Sequence, residues 1–291
     1  MSSCNNRVVV ITGAGGGLGR AYALAFAAEG AKVVVNDINR DAAEAVVAQI
    51  REQDGQAIAN SNDITCYEDA GRIVAAALEA FGGLDVVVNN AGICRDRMFA
   101  SLTEADWDAV VAVHLKGHFC LSSHAVRHWR EQAKNGVKVD ARIINTSSGA
   151  GLQGSIGQSN YAAAKGGIAS LTLVQAAELA RYGITVNALA PAARTGMTEG
   201  VFGEAMKKPE QGFDYFAPEN VAPVVVWLGS RESAGVTGQM FEVEGGKLSI
   251  ADGWRRGPLV DNQGRWAVAE VGAAVGELLE RAVPAQKVYG S

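Results

Sequence analysis

Arg7-Val-Val-Val-Ile-Thr-Gly-Ala-Gly-Gly-Gly-Leu-Gly19 is the stretch on which the fold turns. Residues 7–11 are a short β-branched run, which reads as a buried strand. The run ends in Thr12-Gly13, and residues 20–30 follow, rich in alanine, with Leu24, Phe26 and a glycine stop at Gly30. That segment reads as a helix. Glycines between a strand and a helix permit a tight turn and let the backbone approach a pyrophosphate, while the helix N-terminus offers free amides and partial positive charge. Gly13, Gly16, Gly17, Leu18 and Gly19 are therefore candidate phosphate contacts.

Outward from this turn the pattern repeats. Strands are expected at 31–37, 56–60, 84–89, 142–146, 184–189 and 239–243. Helices are expected at 40–53, 68–81, 106–130, 161–181 and 219–230. The strands are continuously apolar, as strands covered on both faces are. Alternation over about 245 residues predicts an α/β fold: a doubly wound, Rossmann-like parallel sheet of about seven strands in three α/β/α layers. No linker or internal repeat divides it. The expectation is a single domain over residues 5–250 and a C-terminal extension over 251–291. In such sheets ligands bind beyond the carboxyl ends of the strands.

Composition narrows the function classes. Of 291 residues 48% are hydrophobic and 20% charged, as in a globular protein. No segment approaches the roughly 18 uninterrupted apolar residues of a membrane helix. Residues 1–7 are polar and carry no apolar signal core, so export is not expected. A net charge of −5 offers nothing to nucleic acid or anionic lipid. Cys4, Cys66, Cys94 and Cys120 are scattered and fit a reducing cytoplasm. His114, His118, His124 and His128 stand at i,i+4 spacings, but no carboxylate or cysteine motif accompanies them, so no metal is expected.

Asp37 ends the second strand, 18 residues beyond Gly19. Its carboxylate suits an adenosine ribose and repels a 2′-phosphate, and residues 14–16 bring no cation. NAD is expected over NADP, although Arg40 stands three residues on. A solvated turn acid is the plainer alternative for Asp37. Tyr161 and Lys165 are four apart at a helix start and share one face. A phenol with an ordinary pKa near 10 becomes a usable base when an ammonium favours its anion. Ser148, thirteen residues earlier, could hydrogen-bond a substrate carbonyl.

With these residues together, the chain resembles the short-chain dehydrogenase/reductase family. The resemblance is carried by residues 12–19, Asn89-Asn90-Ala91-Gly92, Ser148 and Tyr161-Ala-Ala-Ala-Lys165, over residues 7 to about 246. It implies a nicotinamide cofactor, with Tyr161 as general acid/base, Lys165 on the nicotinamide ribose and Ser148 on the substrate oxygen. It also implies that Asn89, Ala91 and Gly92 line the cofactor. Asp63 and Ile64 would lie at the adenine, and Pro191 and Thr195 at the nicotinamide. One position departs from the family pattern: where an asparagine usually completes a proton relay, this chain has His114. That histidine is similar to the one in the (3R)-hydroxyacyl-CoA dehydrogenase branch found in multifunctional enzyme type 2. It would relay protons or be a buried structural histidine.

Residues 192–218 carry Met197, Phe202, Met206, Phe213, Tyr215 and Phe216. They read as a lid over an apolar substrate, or as a hairpin packed on the core. The expected activity is NAD-dependent interconversion of a secondary alcohol and a ketone, on a 3-hydroxyacyl-CoA or steroid-type substrate. The alternatives are a 3-oxoacyl thioester reductase acting on acyl carrier protein and a non-catalytic NAD-binding redox sensor. The family implies a homodimer or homotetramer. The extension, with Trp254 and an expected helix at 267–282, would pack on a partner subunit, shape the substrate mouth or fray.

Overall fold

The computed structural model describes residues 3–196, 206–253 and 255–291. The β-branched runs pair as one sheet. Its strands are β1 (Val8–Thr12), β2 (Lys32–Asn36), β3 (Gln56–Asn60), β4 (Val86–Asn89), β5 (Ala141–Thr146), β6 (Ile184–Ala192), β7 (Met240–Glu244) and β8 (Lys247–Ile250). The order is β3-β2-β1-β4-β5-β6-β7-β8. The first seven strands are parallel, and β8 returns antiparallel to β7. The sequence predicts about seven strands; the eighth is a correction. Gly245, with φ of +55°, turns the chain back through a tight hairpin. β8 is exposed along its whole length, so no burial pattern announces it in the sequence.

Helices cover both faces. α1 (Gly17–Ala28), α2 (Arg40–Glu52) and the helix Ala222–Gly229 pack on one face, where Tyr22, Phe26, Val46, Ile50 and Val225 meet Val9, Val33 and Val86 of the strands. α3 (Tyr67–Phe81), α5 (Gly117–Lys134) and α7 (Ser159–Leu179) cover the other, with Ile73, Leu121 and Trp129 against Val10, Val87 and Ile143. Each buried aliphatic side chain contributes roughly 1.5–3 kcal/mol, so alternate residues of one strand anchor opposite layers.

The expected continuous helix at 106–130 is two helices. α4 (Glu104–Val111) runs into a π-helical turn, Ala112–Lys116, and then into α5. The extra residue per turn rotates the phase and carries His114 inward, where it is buried. A short helix, α6 (Gly149–Gln153), follows β5 directly after Ser148. Of the lid residues named above, Met197 and Phe202 lie outside the described residues, as does Trp254 of the extension. The described part of that segment is held by Arg194, which pairs with Asp214 at 2.5 Å and donates to the Met206 carbonyl at 2.7 Å. Phe213, Tyr215 and Phe216 meet edge to face.

Candidate active site

The sheet's winding reverses between β1 and β4, and a cleft of about 360 Å³ opens there. Its floor is the glycine turn. Gly13 adopts φ of +61°, and a Cβ there would lie 2.8 Å from the Ala91 Cα. A Cβ on Gly19 would sit 2.2 Å from the Gly13 carbonyl oxygen. The turn thus leaves backbone bare, and α1 starts after its N-cap Gly16 with no side chain capping its first amides. Gly16, Gly17 and Leu18 line the cleft at this point. Thr12 fastens the turn to β4, its hydroxyl accepting from the amides of Asn90 and Ala91, each at 3.0 Å. Asn90, which the sequence reading names only as part of the 89–92 motif and gives no role, donates to the Thr12 carbonyl at 2.9 Å and lines the cleft.

Asp37 stands at one end. Its carboxylate accepts from the Gly15 amide and the Asn39 amide, both at 2.9 Å. Arg40 is exposed and paired with Glu44 at 2.7 Å. At the other end are Tyr161, Lys165 and His114, with Pro191, Thr195 and Gly92 in the walls. Lys165 is buried, donates to the Thr146 carbonyl at 2.6 Å, and its Nζ lies 5.5 Å from the centre of the Tyr161 ring. The Ser148 hydroxyl caps α6, accepting from the Ala150 amide at 3.2 Å, and lowers the Tyr161 phenol by hydrogen bonding.

Burial, however, governs both ionisable partners. It pushes Tyr161 up to about 12, outweighing Ser148. It pulls Lys165 down to about 7. The expected lowering of the phenol by the Lys165 ammonium is therefore not what this state of the site provides, because desolvation penalises the charged form of each.

His114 lies edge-on to Tyr161, with ring centres 5.1 Å apart. Its Nε2 is 2.8 Å from the Ile93 carbonyl and 3.0 Å from the Ile93 amide, so the tautomer decides which bond is made. Its Nδ1 is buried without a partner, and burial lowers its pKa to about 3. A Cβ on Gly92 would meet its ring at 2.3 Å. The histidine is thus neutral and fixes the backbone at residues 92–93, whatever protons it passes.

Asn89 turns away from the cleft. It is buried and donates to Ser122 and Asn145, each at 2.9 Å, in a network that continues to Thr172 of α7. Asp63 and Ile64 lie past the end of β3, outside the cleft lining, with Asp63 accepting from the Thr65 amide at 2.8 Å. Thr146 and Ser147, given no site role from the sequence, line the cleft instead, and their place at the carboxyl end of β5 was the available signal. No group of three His, Cys, Asp or Glu among the described residues could hold a metal.

These residues fit a dinucleotide. The bare glycine turn and uncapped amides suit its phosphates. The Thr146 hydroxyl and the His114 Nδ1 are buried polar atoms without partners beside the cleft, as a ligand site leaves them.

The short chain dehydrogenase family profile matches residues 7–204. The chain is 45% identical over 253 residues to the hydroxyacyl-CoA dehydrogenase ChsB1 of Mycobacterium tuberculosis, covering 84% of this chain and 80% of that one. It is 45% identical over 251 residues to the peroxisomal multifunctional enzyme type 2 of Mus musculus, covering 83% of this chain but only 32% of that much longer protein. The crystal structure of a short chain dehydrogenase from Mycobacterium avium superposes with a TM-score of 0.92 at 56% identity, over 99% of this chain and all of that one.

Proposed function

The chain belongs to the short chain dehydrogenase family, and from that premise we propose that it interconverts a 3-hydroxyacyl-CoA and its 3-oxo counterpart with NAD. That it is an oxidoreductase of CH–OH groups using a nicotinamide cofactor follows from the family. The observation that carries the finer reading is one cleft lined by Asp37 at one end and by Tyr161 and Lys165 at the other, with Ser148 hydrogen-bonded to Tyr161 behind the lining.

When bound, the nicotinamide supplies the hydride acceptor. The chain supplies the rest. Ser148 Oγ donates to the substrate oxygen and holds it beside Tyr161. The Tyr161 phenolate takes the hydroxyl proton, and Lys165 steadies the cofactor ribose and favours the phenolate once its own charge is restored. His114 keeps residues 92–93 in place behind the reacting groups.

NAD is preferred because Asp37 presents a fixed negative charge at the ribose end, and Arg40 is drawn off by Glu44. The exposed Phe213 and the lid segment suit a long apolar acyl chain or a steroid-type alcohol. Exposed Phe119 on α5 and Leu173 and Val174 on α7 support a homodimer or homotetramer. No described helix is long and apolar enough to cross a membrane, and all four cysteines are unpaired, which supports a reducing compartment such as the cytoplasm.

The test is a panel of hydroxyacyl-CoA esters, sterols and simple alcohols, followed by NADH absorbance with NAD and NADP side by side. Tyr161→Phe is assayed in parallel. The expected variant still binds NADH while turnover falls by about 10²–10⁴-fold. Full activity in that variant would reject the proton-transfer role. Retained binding with no turnover of any alcohol by the native chain would favour a redox sensor.

A further inference from the structure

The strip of chain between Ser148 and Tyr161 carries one reacting group at each end, and it is held from both sides. On one side lies the segment after β4. The Arg97 amide donates to the Gly157 carbonyl at 2.8 Å, Gln158 donates to Asp96 at 2.9 Å, and Asn160 donates to the Arg95 carbonyl at 3.1 Å. On the other side lies the end of the chain. Residue 289 pairs with Ser155 as a parallel bridge: the Ile156 amide donates to the Tyr289 carbonyl at 3.0 Å, and the Tyr289 amide donates to the Gly154 carbonyl at 3.3 Å.

The side chains follow the same path. The Tyr289 ring lies over Gly149, the residue directly after Ser148. A Cβ built on Gly149 would meet Tyr289 Oη at 2.5 Å and the ring carbons Cε2 and Cζ at 2.9 and 3.1 Å. Those are its three nearest atoms, so this glycine's bare face is filled by Tyr289. Val288 covers Gly154 in the same way, at 2.5 Å from a Cβ there. The helix Val268–Arg281 that precedes this segment buries none of its residues, so the tail's attachment is concentrated at its last residues.

We propose that residues 286–291 form a clasp on the Ser148–Tyr161 strip, and that Tyr289 is a positioning residue that fixes Gly149 and, through it, the Ser148 hydroxyl. The clasp is the second strip held against this segment, opposite residues 95–97. Ile156, Val288 and Tyr289 are exposed apolar residues of this strip and clasp, as are Met98 and Phe99 just beyond residues 95–97. The role in turnover rests on the dehydrogenase reading above; the clasp itself does not.

The experiment compares the native chain with Tyr289→Phe, Tyr289→Ala, Gly149→Ala and the double variant Gly149→Ala/Tyr289→Ala. Amide hydrogen exchange over residues 149–158 reads the clasp. The kcat and KM for the best hydroxyacyl-CoA of the panel read its consequence, and NADH fluorescence reads cofactor binding. Tyr289→Ala and Gly149→Ala are expected to speed exchange in this segment alone and to lower kcat by about tenfold, with KM and NADH affinity changing by less than about twofold. Tyr289→Phe, which keeps the ring, is expected to behave as the native chain. The double variant is expected to be no worse than either single one, because both remove the same contact. Unchanged exchange in Tyr289→Ala, or additive losses in the double variant, would overturn the proposal. If the native chain turns over no hydroxyacyl-CoA, the functional reading fails while exchange still decides the clasp.

Discussion

Lys165 brings an ammonium group into a place with almost no solvent, and burial there penalises its charged form. Its pKa is drawn from about 10.5 down to about 7 by burial. Between those values the unfolded chain holds a proton that the folded chain has lost, so stability rises with pH across the window and is lowest below about pH 7. The slope approaches 1.4 kcal/mol per pH unit. Lys165→Met removes the titration. In urea unfolding without nucleotide at pH 6.5, 8 and 9.5, the native chain should gain stability relative to this variant as pH rises. Parallel behaviour at all three pH values would show that Lys165 is not depressed. The pairing of Tyr161 with Lys165 was legible as a four-residue spacing. Their protonation was not, because desolvation depends on what the folded chain packs around them. The inward turn of Asn89 was hidden for the same reason: adjacent asparagines look alike in sequence, and only the pleat of β4 sends one to the core and the other to the cleft.

Among the elements, the glycine turn and α1 act as one unit, and their steric tolerance differs sharply between neighbours. A Cβ at Gly19 strikes backbone at 2.2 Å and the Asn90 amide at 2.7 Å, whereas one at Gly16 meets nothing within 4 Å. Gly19→Ala is expected to cost about 1–3 kcal/mol of stability by overpacking against atoms that cannot yield. It should also weaken NADH binding at least tenfold by displacing the Gly13 carbonyl and Asn90. Gly16→Ala should leave the melting temperature within about one degree of the native value, since surface substitutions that touch nothing shift stability by under about 0.5 kcal/mol. Calorimetry and NADH titration check both, and equal melting temperatures for the two variants would sink the steric account. This unit was readable in the sequence because strand, turn and helix signals are local. The π turn at Ala112–Lys116 was not readable, because apolar spacing runs through it and no proline marks the phase change. β8 left one usable sign, the Gly245-Gly246 pair, but an exposed edge strand carries no alternating burial to go with it.

At the scale of the whole molecule, one acid ties together the N-terminal ends of two parallel central strands, β1 and β5. Arg7 precedes β1 and Arg142 lies in β5, and each is 1% exposed. Asp140 pairs with Arg7 at 3.0 Å and with Arg142 at 2.6 Å, while its carbonyl accepts from Arg7 at 2.7 Å. Arg142 reaches on to the Ser230 carbonyl at 3.1 Å, just past the helix Ala222–Gly229. Burial alone would raise the Asp140 carboxyl; the charge of Arg142 and the hydrogen bonds from both arginines outweigh it and hold the carboxyl below its ordinary range. A depressed acid stabilises the fold fully above its unfolded pKa near 4, and that contribution disappears as pH falls through the lower folded value. Asp140→Asn leaves two buried guanidinium groups facing a neutral amide. The expected loss is about 1–2 kcal/mol at pH 7, less than for a fully buried pair, because the Asp140 side chain is 37% exposed and partly screened by solvent. As pH falls below about 4 the gap between the native chain and the variant should narrow, and it closes only as pH passes the lower folded value, where protonation does to Asp140 what the substitution does. Urea midpoints at pH 7 and pH 3.5 measure both claims. A variant as stable as the native chain at pH 7 would mean that the two arginines find other partners and that this acid does not tie the sheet together.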